Sequence, residues 1–371
     1  MSSGGLEIVE AGGTDSGAVI SGGGVQQVWV GGLADGTRIS GGTQQVFASA
    51  SGTLVSSGGL EIVEPGGTDS GTVISAGGVQ QVWVGGAAKG TAVGSGGAEL
   101  VFGSASGTLV SSGGLEIVES GGTDSATVIS AGGVQQVWVG GAAKGTAVGN
   151  GGAELVFGSA SGTLVSSGGL EIVEAGGTDS GAVISAGGVQ QVWVGGVGSG
   201  AQINSAGVEQ VWGTAIGTTV NSGGFEQVFS GGIVNGATIN GGELELDSGA
   251  TAGSSTMTFA SAGGGTLRLD ASSSFGGAIS GFHLGDSLDL ADIGFGSNTT
   301  LAFSEAPSNT SGTLTVSDGT HTANMTLLGQ YMASQFTSAS DGQGGTVVGD
   351  PSVAAANDTP PIGQLAAPHH A

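Results

Sequence analysis

Three carboxylates lie close together in the sequence, at Asp286, Asp289 and Asp292. Carboxylate oxygens are ligands that Ca²⁺ prefers, so these side chains could bind that ion. The alternative is that they are solvated aspartates in turns, because the glycine-rich nonapeptide repeat of calcium-binding proteins is not present in register. The sequence therefore predicts no bound cofactor, with Ca²⁺ at these three aspartates as the alternative.

Few residues in this chain could support catalysis. Cysteine is absent, which excludes disulfides, thiolate metal sites and cysteine nucleophiles. The four histidines, His283, His321, His369 and His370, lie outside the repetitive part of the chain. The glutamates recur with the repeat, whereas an acid–base site should occur once and interrupt it. The sequence therefore predicts that the protein is not an enzyme, although polysaccharide hydrolases and lyases also adopt β-helical folds.

The elements that must position these residues form a repeat. Leu6, Leu60, Leu115 and Leu170 lie in nearly identical segments that recur at an almost constant interval, which we call the long repeat. Within each long repeat, double glycines open shorter units, as at Gly77-Gly78. Each unit is predicted to contain a short apolar strand, a Gly-rich turn, a second short strand and another turn.

One such unit is too small to bury its own apolar face, so neighbouring units must stack. The sequence predicts an all-β fold, in which residues 1–250 form a right-handed parallel β-helix (solenoid) of about 13 coils. At about 4.8 Å per coil, such a rod is roughly 60 Å long. Lys89 and Lys144 fall in the first turn of their units and are expected to be exposed.

A C-terminal cap is expected, because the open end of a solenoid exposes unpaired strand edges and apolar core. Strand-like segments follow the repeat, and Asp318-Gly319 predicts a hairpin turn between two of them. Residues 251–350 are therefore predicted to form a β cap that is associated with secretion. Residues 351–371 are rich in Ala and Pro and are predicted to be disordered.

Alignment of the coils at their double glycines places similar residues above one another. A column of valines from Val9 to Val228, and a second column that begins at Ile20, are predicted to fill the core. A third column, from Glu7 to Glu154, contains glutamate and glutamine. Stacked carboxylates repel each other and interposed amides dilute the charge. We interpret this column as a solubilising outer face, with a ligand site as the alternative.

A further column alternates glutamate, tryptophan and phenylalanine with a period of three coils, which explains the long repeat. A position that accepts such different side chains is predicted to face outward. It could stack against sugars or against another rod, although single exposed aromatic residues are ordinary. The predicted binding stripe consists of Trp29, Phe47, Trp83, Phe102, Trp138, Phe157, Trp193 and Trp212.

The charge of the chain excludes several kinds of partner. The formal net charge is −25, with 4 Lys and Arg against 29 Asp and Glu. Such a surface repels nucleic acid and anionic membranes, and no apolar run approaches the ~18 residues of a membrane-spanning helix. Met1 falls at the start of a repeat, so either the natural beginning lies upstream or export uses no N-terminal signal.

The repeated pattern GG-x-x-x-V-x-x-GG-x-A-x-x-T-x-V resembles the strand-loop-strand repeat of bacterial autotransporter passengers of the self-associating, diffuse-adherence adhesin type. It fits Gly77–Val93, Gly96–Val110 and Gly132–Val148, and it extends over about residues 3–242. The resemblance implies a β-helix outside the Gram-negative cell that mediates adhesion and aggregation. In some members a cytoplasmic heptosyltransferase adds heptose to serines of the repeat. The segment Gly281–Leu290 is similar instead to the end of large secreted bacterial proteins, so the export route stays open.

The sequence therefore predicts a secreted or surface-displayed adhesin of a Gram-negative bacterium that associates with itself or with other cell-surface molecules and glycans. The alternative is an extracellular carbohydrate-binding or matrix-structural protein that uses the aromatic stripe. A heptosyltransferase is a further predicted partner. Serines before double glycines are the candidates for O-heptosylation, although serine also favours turns through its own hydrogen bonds: Ser3, Ser57, Ser112, Ser167 and Ser222.

Overall fold

The computed structural model describes residues 1, 4–260 and 263–349. Within those ranges, every regular element is a β-strand except two single-turn 3₁₀ helices, Ser272–Ser274 and Ala333–Gln335. The predicted all-β fold is confirmed, and the chain forms a parallel β-solenoid of about 15 turns. No helix in the described part has the length and apolar character that crossing a membrane requires. The tail predicted to be disordered, 351–371, lies outside the described residues.

The first sheet contains the longest strands of the coils, and these strands pair in parallel with their residues in register. Leu115–Val118, for example, pairs with Val134–Val137. The parallel strands of the first sheet are Leu6–Val9, Val25–Val28, Thr43–Val46, Leu60–Val63, Val79–Val82, Ala98–Val101, Leu115–Val118, Val134–Val137, Ala153–Val156, Leu170–Val173, Val189–Val192, Val208–Val211, Phe225–Val228, Glu243–Leu246, Thr266–Leu269 and Ser287–Leu290.

Two further parallel sheets complete the coils. The second sheet contains Thr14–Ser16, Leu33–Asp35, Ser49–Ser51, Thr68–Ser70, Ala87–Lys89, Ser104–Ser106, Thr123–Ser125, Ala142–Lys144, Ser159–Ser161, Thr178–Ser180, Val197–Ser199, Thr214–Ile216 and Ile233–Asn235. The coils contribute to the third sheet Val19–Ser21, Arg38–Ser40, Leu54–Ser56, Val73–Ile74, Ala92–Val93, Leu109–Val110, Val128–Ile129, Ala147–Val148, Leu164–Val165, Val183–Ile184, Gln202–Ile203, Thr219–Asn221, Thr238–Asn240, Thr256–Phe259 and Ala278–Ser280.

The expectation of two strands per coil is wrong, because the short segments of the second sheet also pair with their neighbours. These segments consist mainly of Ser, Thr, Ala, Asp and Lys, several of which have low strand propensity. Backbone pairing with the coils above and below holds them as strands. Lys89 and Lys144 therefore end strands rather than occupy turns, and both side chains are exposed as expected.

Both predicted core columns are confirmed. The valines from Val28 to Val228 have no exposed surface, and Val9 in the first coil keeps 6%. The column of Ile and Val that begins at Ile20 is buried on the third sheet. These two columns face the interior of the solenoid from different sheets and form the apolar part of its core.

The parallel stack continues beyond residue 250, which explains why the coils outnumber the predicted 13. Glu243–Leu246 pairs with Thr266–Leu269, which pairs with Ser287–Leu290. Double glycines no longer mark each coil here, but the second and fourth residues of these strands remain buried leucines. The alternation of buried leucines with outward residues is therefore the sequence feature that these coils keep after the recognisable repeat ends.

Most strands that follow Ser287–Leu290, the last parallel strand of the first sheet, pair antiparallel. Thr300–Glu305, Ser311–Ser317 and Thr322–Leu328 pair antiparallel, and the Asp318-Gly319 hairpin is confirmed between the last two. Thr322–Leu328 joins the third sheet beside its last coil strand. Two more antiparallel strands join the first sheet, Thr337–Ser340 and Thr346–Gly349. That this region caps the rod stays a prediction.

Candidate functional site

An aromatic stripe follows one edge of the first sheet, one residue beyond the buried valine of each strand. Its tryptophans Trp29, Trp83, Trp138 and Trp193 keep 42 to 47% of their surface exposed. Each of these four indoles stacks on the aromatic ring of the next coil. The ring centroids are 5.4 Å apart for Trp29–Phe47, 5.2 Å for Trp83–Phe102, 5.3 Å for Trp138–Phe157 and 5.0 Å for Trp193–Trp212. The eight predicted stripe residues thus lie in one outward row, and their binding role stays a prediction.

One member of the stripe is absent from the sequence prediction. Phe229 stacks on Trp212 with ring centroids 4.3 Å apart and an angle of 3° between the planes. The signal that identifies it is its position directly after Val228, the last residue of the valine column. The stripe therefore contains nine aromatic rings, counting the eight predicted ones.

Glutamates interrupt the stripe once in every three coils. Glu64 lies on the coil between Phe47 and Trp83, since Val63 pairs with both Val46 and Val82. We call this arrangement a notch, and it recurs at Glu119 between Phe102 and Trp138 and at Glu174 between Phe157 and Trp193. The glutamates of the three notches are half-buried. Each notch thus places a carboxylate between two aromatic side chains of adjacent coils.

The interpretation of the glutamate and glutamine column as an outer face is wrong. Its residues occupy the second position of the first-sheet strands, two residues before the buried valine. Alternate residues of a strand point to the same face, so this column also points inward. The fully buried members form what we call the buried ladder: Gln26, Gln44, Glu61, Gln80, Glu99, Glu116, Gln135, Glu154, Glu171, Gln190, Glu209 and Glu226.

Hydrogen bonds connect the buried ladder to the other two sheets. Gln135 Nε2 donates to Glu116 Oε2 at 2.8 Å and to Asp124 Oδ2 at 2.9 Å. Thr146 directly precedes the third-sheet strand Ala147–Val148, and its Oγ1 donates to Gln135 Oε1 at 3.2 Å. Asp124 is the inward residue of a second-sheet strand, where most other coils have a small alanine that leaves room for the ladder. The two contacts donated by the amide recur around Gln80 and Gln190, and Thr91 Oγ1 donates to Gln80 Oε1 as Thr146 does to Gln135.

The buried ladder faces no cation within the described part of the chain. Arg38, Lys89 and Lys144 are exposed, and Arg268 pairs at the surface with Glu245 at 3.1 Å. Neighbouring rungs also place carboxyl groups side by side in register, as Glu99 and Glu116 do. Ionised carboxylates are therefore strongly disfavoured at these positions.

Burial raises the pKa of the ladder glutamates, and nearby carboxyl groups raise it further. Burial is the main cause of the rise in the pKa values of Glu99 and Glu154 to about 8, and Asp124 and Asp179 respectively make the largest contribution from neighbouring charges. The pKa of Glu209 rises to about 7. Burial also raises the pKa values of Glu61, Glu116, Glu171 and Glu226 well above the ordinary range. The ladder is therefore largely protonated at neutral pH and acts as a polar, uncharged part of the core.

The three aspartates predicted as calcium ligands have separate protein partners. Asp286 is buried and accepts hydrogen bonds from the backbone N–H groups of Gly264 and Gly265. Asp289 lies 3.9 Å from the guanidinium of Arg268, and Asp292 accepts a hydrogen bond from the backbone of Ser272. Calcium binding stays a prediction. In the described residues, the acidic side chains that come within metal-binding reach of one another are instead Glu245, Asp247 and Asp270.

The predicted glycosylation serines lie in the turns that lead into the first sheet. Ser57, Ser112 and Ser167 are exposed and have φ between 50° and 52°. The following glycine also has positive φ, and the two residues form the centre of a tight turn. Ser222 is exposed at the equivalent position, and Ser3 lies outside the described residues.

The chain is similar over most of its length to a solved structure. It is the crystal structure of a TibC-catalysed, hyper-glycosylated fragment of TibA, with 32% identity and a TM-score of 0.61. The match covers 74% of this chain and 100% of that fragment. No protein-family model and no curated protein sequence matches the chain. The identity and the coverage of the whole fragment show that the chain belongs to the bacterial autotransporter adhesin passengers with a strand-loop-strand repeat.

Proposed function

We propose that the chain acts as an adhesin on or outside the surface of a Gram-negative bacterium, and that it works by binding other copies of itself without catalytic turnover. The exposed aromatic stripe carries this proposal, because it offers the same outward group every three coils along a rod of an adhesin family. Three coils correspond to about 14 Å at the usual strand spacing. Weak contacts repeated at that interval add up through effective concentration.

The exposed indoles also favour a second candidate function, which is binding to extracellular carbohydrate. Aromatic faces stack on sugar rings, and a row of them could follow a polysaccharide chain. In this protein the tryptophans already stack on neighbouring rings, which leaves fewer free faces for sugars. Self-association is therefore the function that the geometry supports better.

Replacing Trp83 and Trp138 with alanine is expected to weaken self-association at least tenfold, because the stripe loses two of its exposed rings. Sedimentation velocity over a concentration series measures the association, and a glycan array measures sugar binding. Leu109→Ala with Leu164→Ala is the matched control, since both leucines are exposed on the third sheet. Association that survives the tryptophan variant would exclude the stripe. Glycan binding that is lost in the tryptophan variant, without any association, would favour the second function.

We further propose that a heptosyltransferase modifies the exposed turn serines. The hyper-glycosylated state of the TibA fragment supports this proposal. Protein from the native host is expected to carry additions in multiples of one heptose by intact mass, and Ser57→Ala with Ser112→Ala should remove the additions at those two sites. Ser104→Ala with Ser159→Ala is the control, because these exposed serines lie in second-sheet strands. An unmodified native mass would contradict the proposal.

A further inference from the structure

Two lysines lie in equivalent shallow grooves on the outer face of the second sheet. Lys89 borders a groove of about 470 Å³ and Lys144 one of about 440 Å³. Small side chains form most of the lining, and Ser104 and Ser106 border both grooves. The lysines lie one long repeat apart, so they recur with the same three-coil period as the notches.

The exposed lysines and the notch glutamates could form ion pairs, yet neither group has an ion-pair partner within the described part of the chain. The ion pairs of the described residues involve Arg268, His283 and His321 as the basic groups, and none involves Lys89 or Lys144. The notch glutamates Glu64 and Glu119 likewise have no side-chain hydrogen bond or ion pair in the described part. A protein with a formal charge of −25 and 4 basic residues therefore keeps two of its cations exposed and unpaired on one row.

The notches have the chemistry that recognises an ammonium group. A lysine over an aromatic face gains cation–π attraction, and a carboxylate beside it forms a charge-assisted hydrogen bond. Phe47 and Trp83 lie two coils apart, which is about 9.6 Å at the usual strand spacing. An ammonium group above Glu64 would thus lie between the two aromatic side chains.

We propose that Lys89 and Lys144 of one chain dock into successive notches of a second copy of the chain. The lysines and the notches share one period, so both pairs form together, with Glu64 and Glu119 as the partners or, at an offset one long repeat further, with Glu119 and Glu174. The exposed aromatic ridge then lies against the small residues of the second-sheet groove. Because the two surfaces differ, the contact leaves a free notch row on the rod that supplies the lysines and a free lysine row on the other rod. Such a heterologous contact allows further rods to add, in an open array unless the rotation between rods closes a ring.

This inference rests on the self-association in the proposed function, and charge reversal tests the two separately. Lys89→Glu with Lys144→Glu is expected to weaken association at least tenfold, as is Glu64→Lys with Glu119→Lys. A mixture of these two variants should associate again, because each lysine then meets a glutamate. Both variants remain strongly negative, because the native formal charge of −25 changes by four units in either direction, so general attraction between them would not restore association. Sedimentation velocity measures each sample.

Gain of function provides a second test. Asp35 and Ser199 occupy the lysine position in the first and fourth long repeats, so D35K with S199K extends the row to four lysines. This variant should associate at a several-fold lower concentration and withstand more salt. Glu305→Lys is the control, because it also adds positive charge but lies on an exposed strand outside the rod's repeat.

Three results would overturn the docking model. Association of the native chain that is unchanged in the Lys89→Glu, Lys144→Glu variant removes the lysines from the contact but leaves the proposed function standing. A native chain that stays monomeric at every concentration contradicts the proposed self-association, and the docking model with it. If a chain that does not self-associate binds an oligolysine peptide, and the Glu64→Lys, Glu119→Lys variant loses that binding, the notches belong to a different cationic partner.

Discussion

The rod is expected to lose stability as the pH rises from about 4.5 to about 8. The unfolded glutamates ionise near their ordinary pKa of 4.5, whereas burial holds the pKa of Glu99 and Glu154 at about 8. Between these values the folded state binds more protons than the unfolded state, so the free energy of unfolding falls with increasing pH. Below about 4.5 both states are protonated, and this contribution is fully present.

The expected loss is large. One unit of pKa shift corresponds to about 1.4 kcal/mol, so a shift from 4.5 to about 8 corresponds to roughly 5 kcal/mol for a residue such as Glu99. Seven glutamates belong to the buried ladder, although their contributions are coupled and do not simply add. Urea unfolding followed by circular dichroism at several pH values between 4 and 8.5 measures the change. A midpoint that stays level or rises over this interval would contradict the protonated ladder.

Glutamine variants provide the matched controls for the pH profile. Glu116→Gln should reduce the slope, because the amide has the same shape and cannot ionise. Glutamine already occupies neighbouring rungs at Gln80 and Gln135, so it fits this position. Glu64→Gln removes a carboxylate from a half-buried outward position and should leave the slope nearly unchanged.

Glu226→Leu is expected to stabilise the rod by about 1–3 kcal/mol at pH 7, which is the usual cost of an unsatisfied buried polar group. Both carboxyl oxygens of Glu226 are buried without a hydrogen-bond partner. Its coil presents Val234 and Ala237, whereas Glu209 one coil earlier accepts a hydrogen bond from Thr218. The following rung is already a buried leucine, Leu244.

The same urea titration tests this substitution. Glu226→Gln should produce a smaller gain, because the amide is uncharged but still lacks partners. Glu10→Leu is the surface control, since Glu10 is exposed and its removal should change the unfolding free energy by less than about 0.5 kcal/mol. A Glu226→Leu protein that unfolds at lower urea than the native chain would show that the carboxyl group has a structural role.

The sequence is most informative where a side chain has one plausible environment. Valine at the same position of thirteen strands predicts a core column, and tryptophan next to it predicts an outward stripe, because strand neighbours point to opposite faces. Glu116 is different. Its charge favours a surface position, while its place two positions before Val118 requires the interior, and the second signal decides because backbone geometry is fixed.

The strands of the second sheet mark a different limit of sequence reasoning. Segments such as Ala142–Lys144 contain no β-branched or aromatic residue, so no propensity signal marks them. Their conformation comes from hydrogen bonds with the coils on either side. Likewise, Leu267 and Leu288 continue the coils where the double-glycine pattern has lost its regular spacing. In both cases the stacked neighbour supplies information that a single unit lacks.

The three-coil periodicity of the buried ladder has a consequence for how such a gene can change. Unequal recombination deletes or inserts one whole long repeat, and every rung then meets a neighbour of the same kind as before. Removing residues 61–115, for example, joins Leu60 to Glu116 and leaves Gln44 beside a glutamate, as it is beside Glu61 now. Loss of a single coil would instead place new residue types against each other. Rod length can therefore vary between descendants in steps of about 14 Å without redesign of the interior.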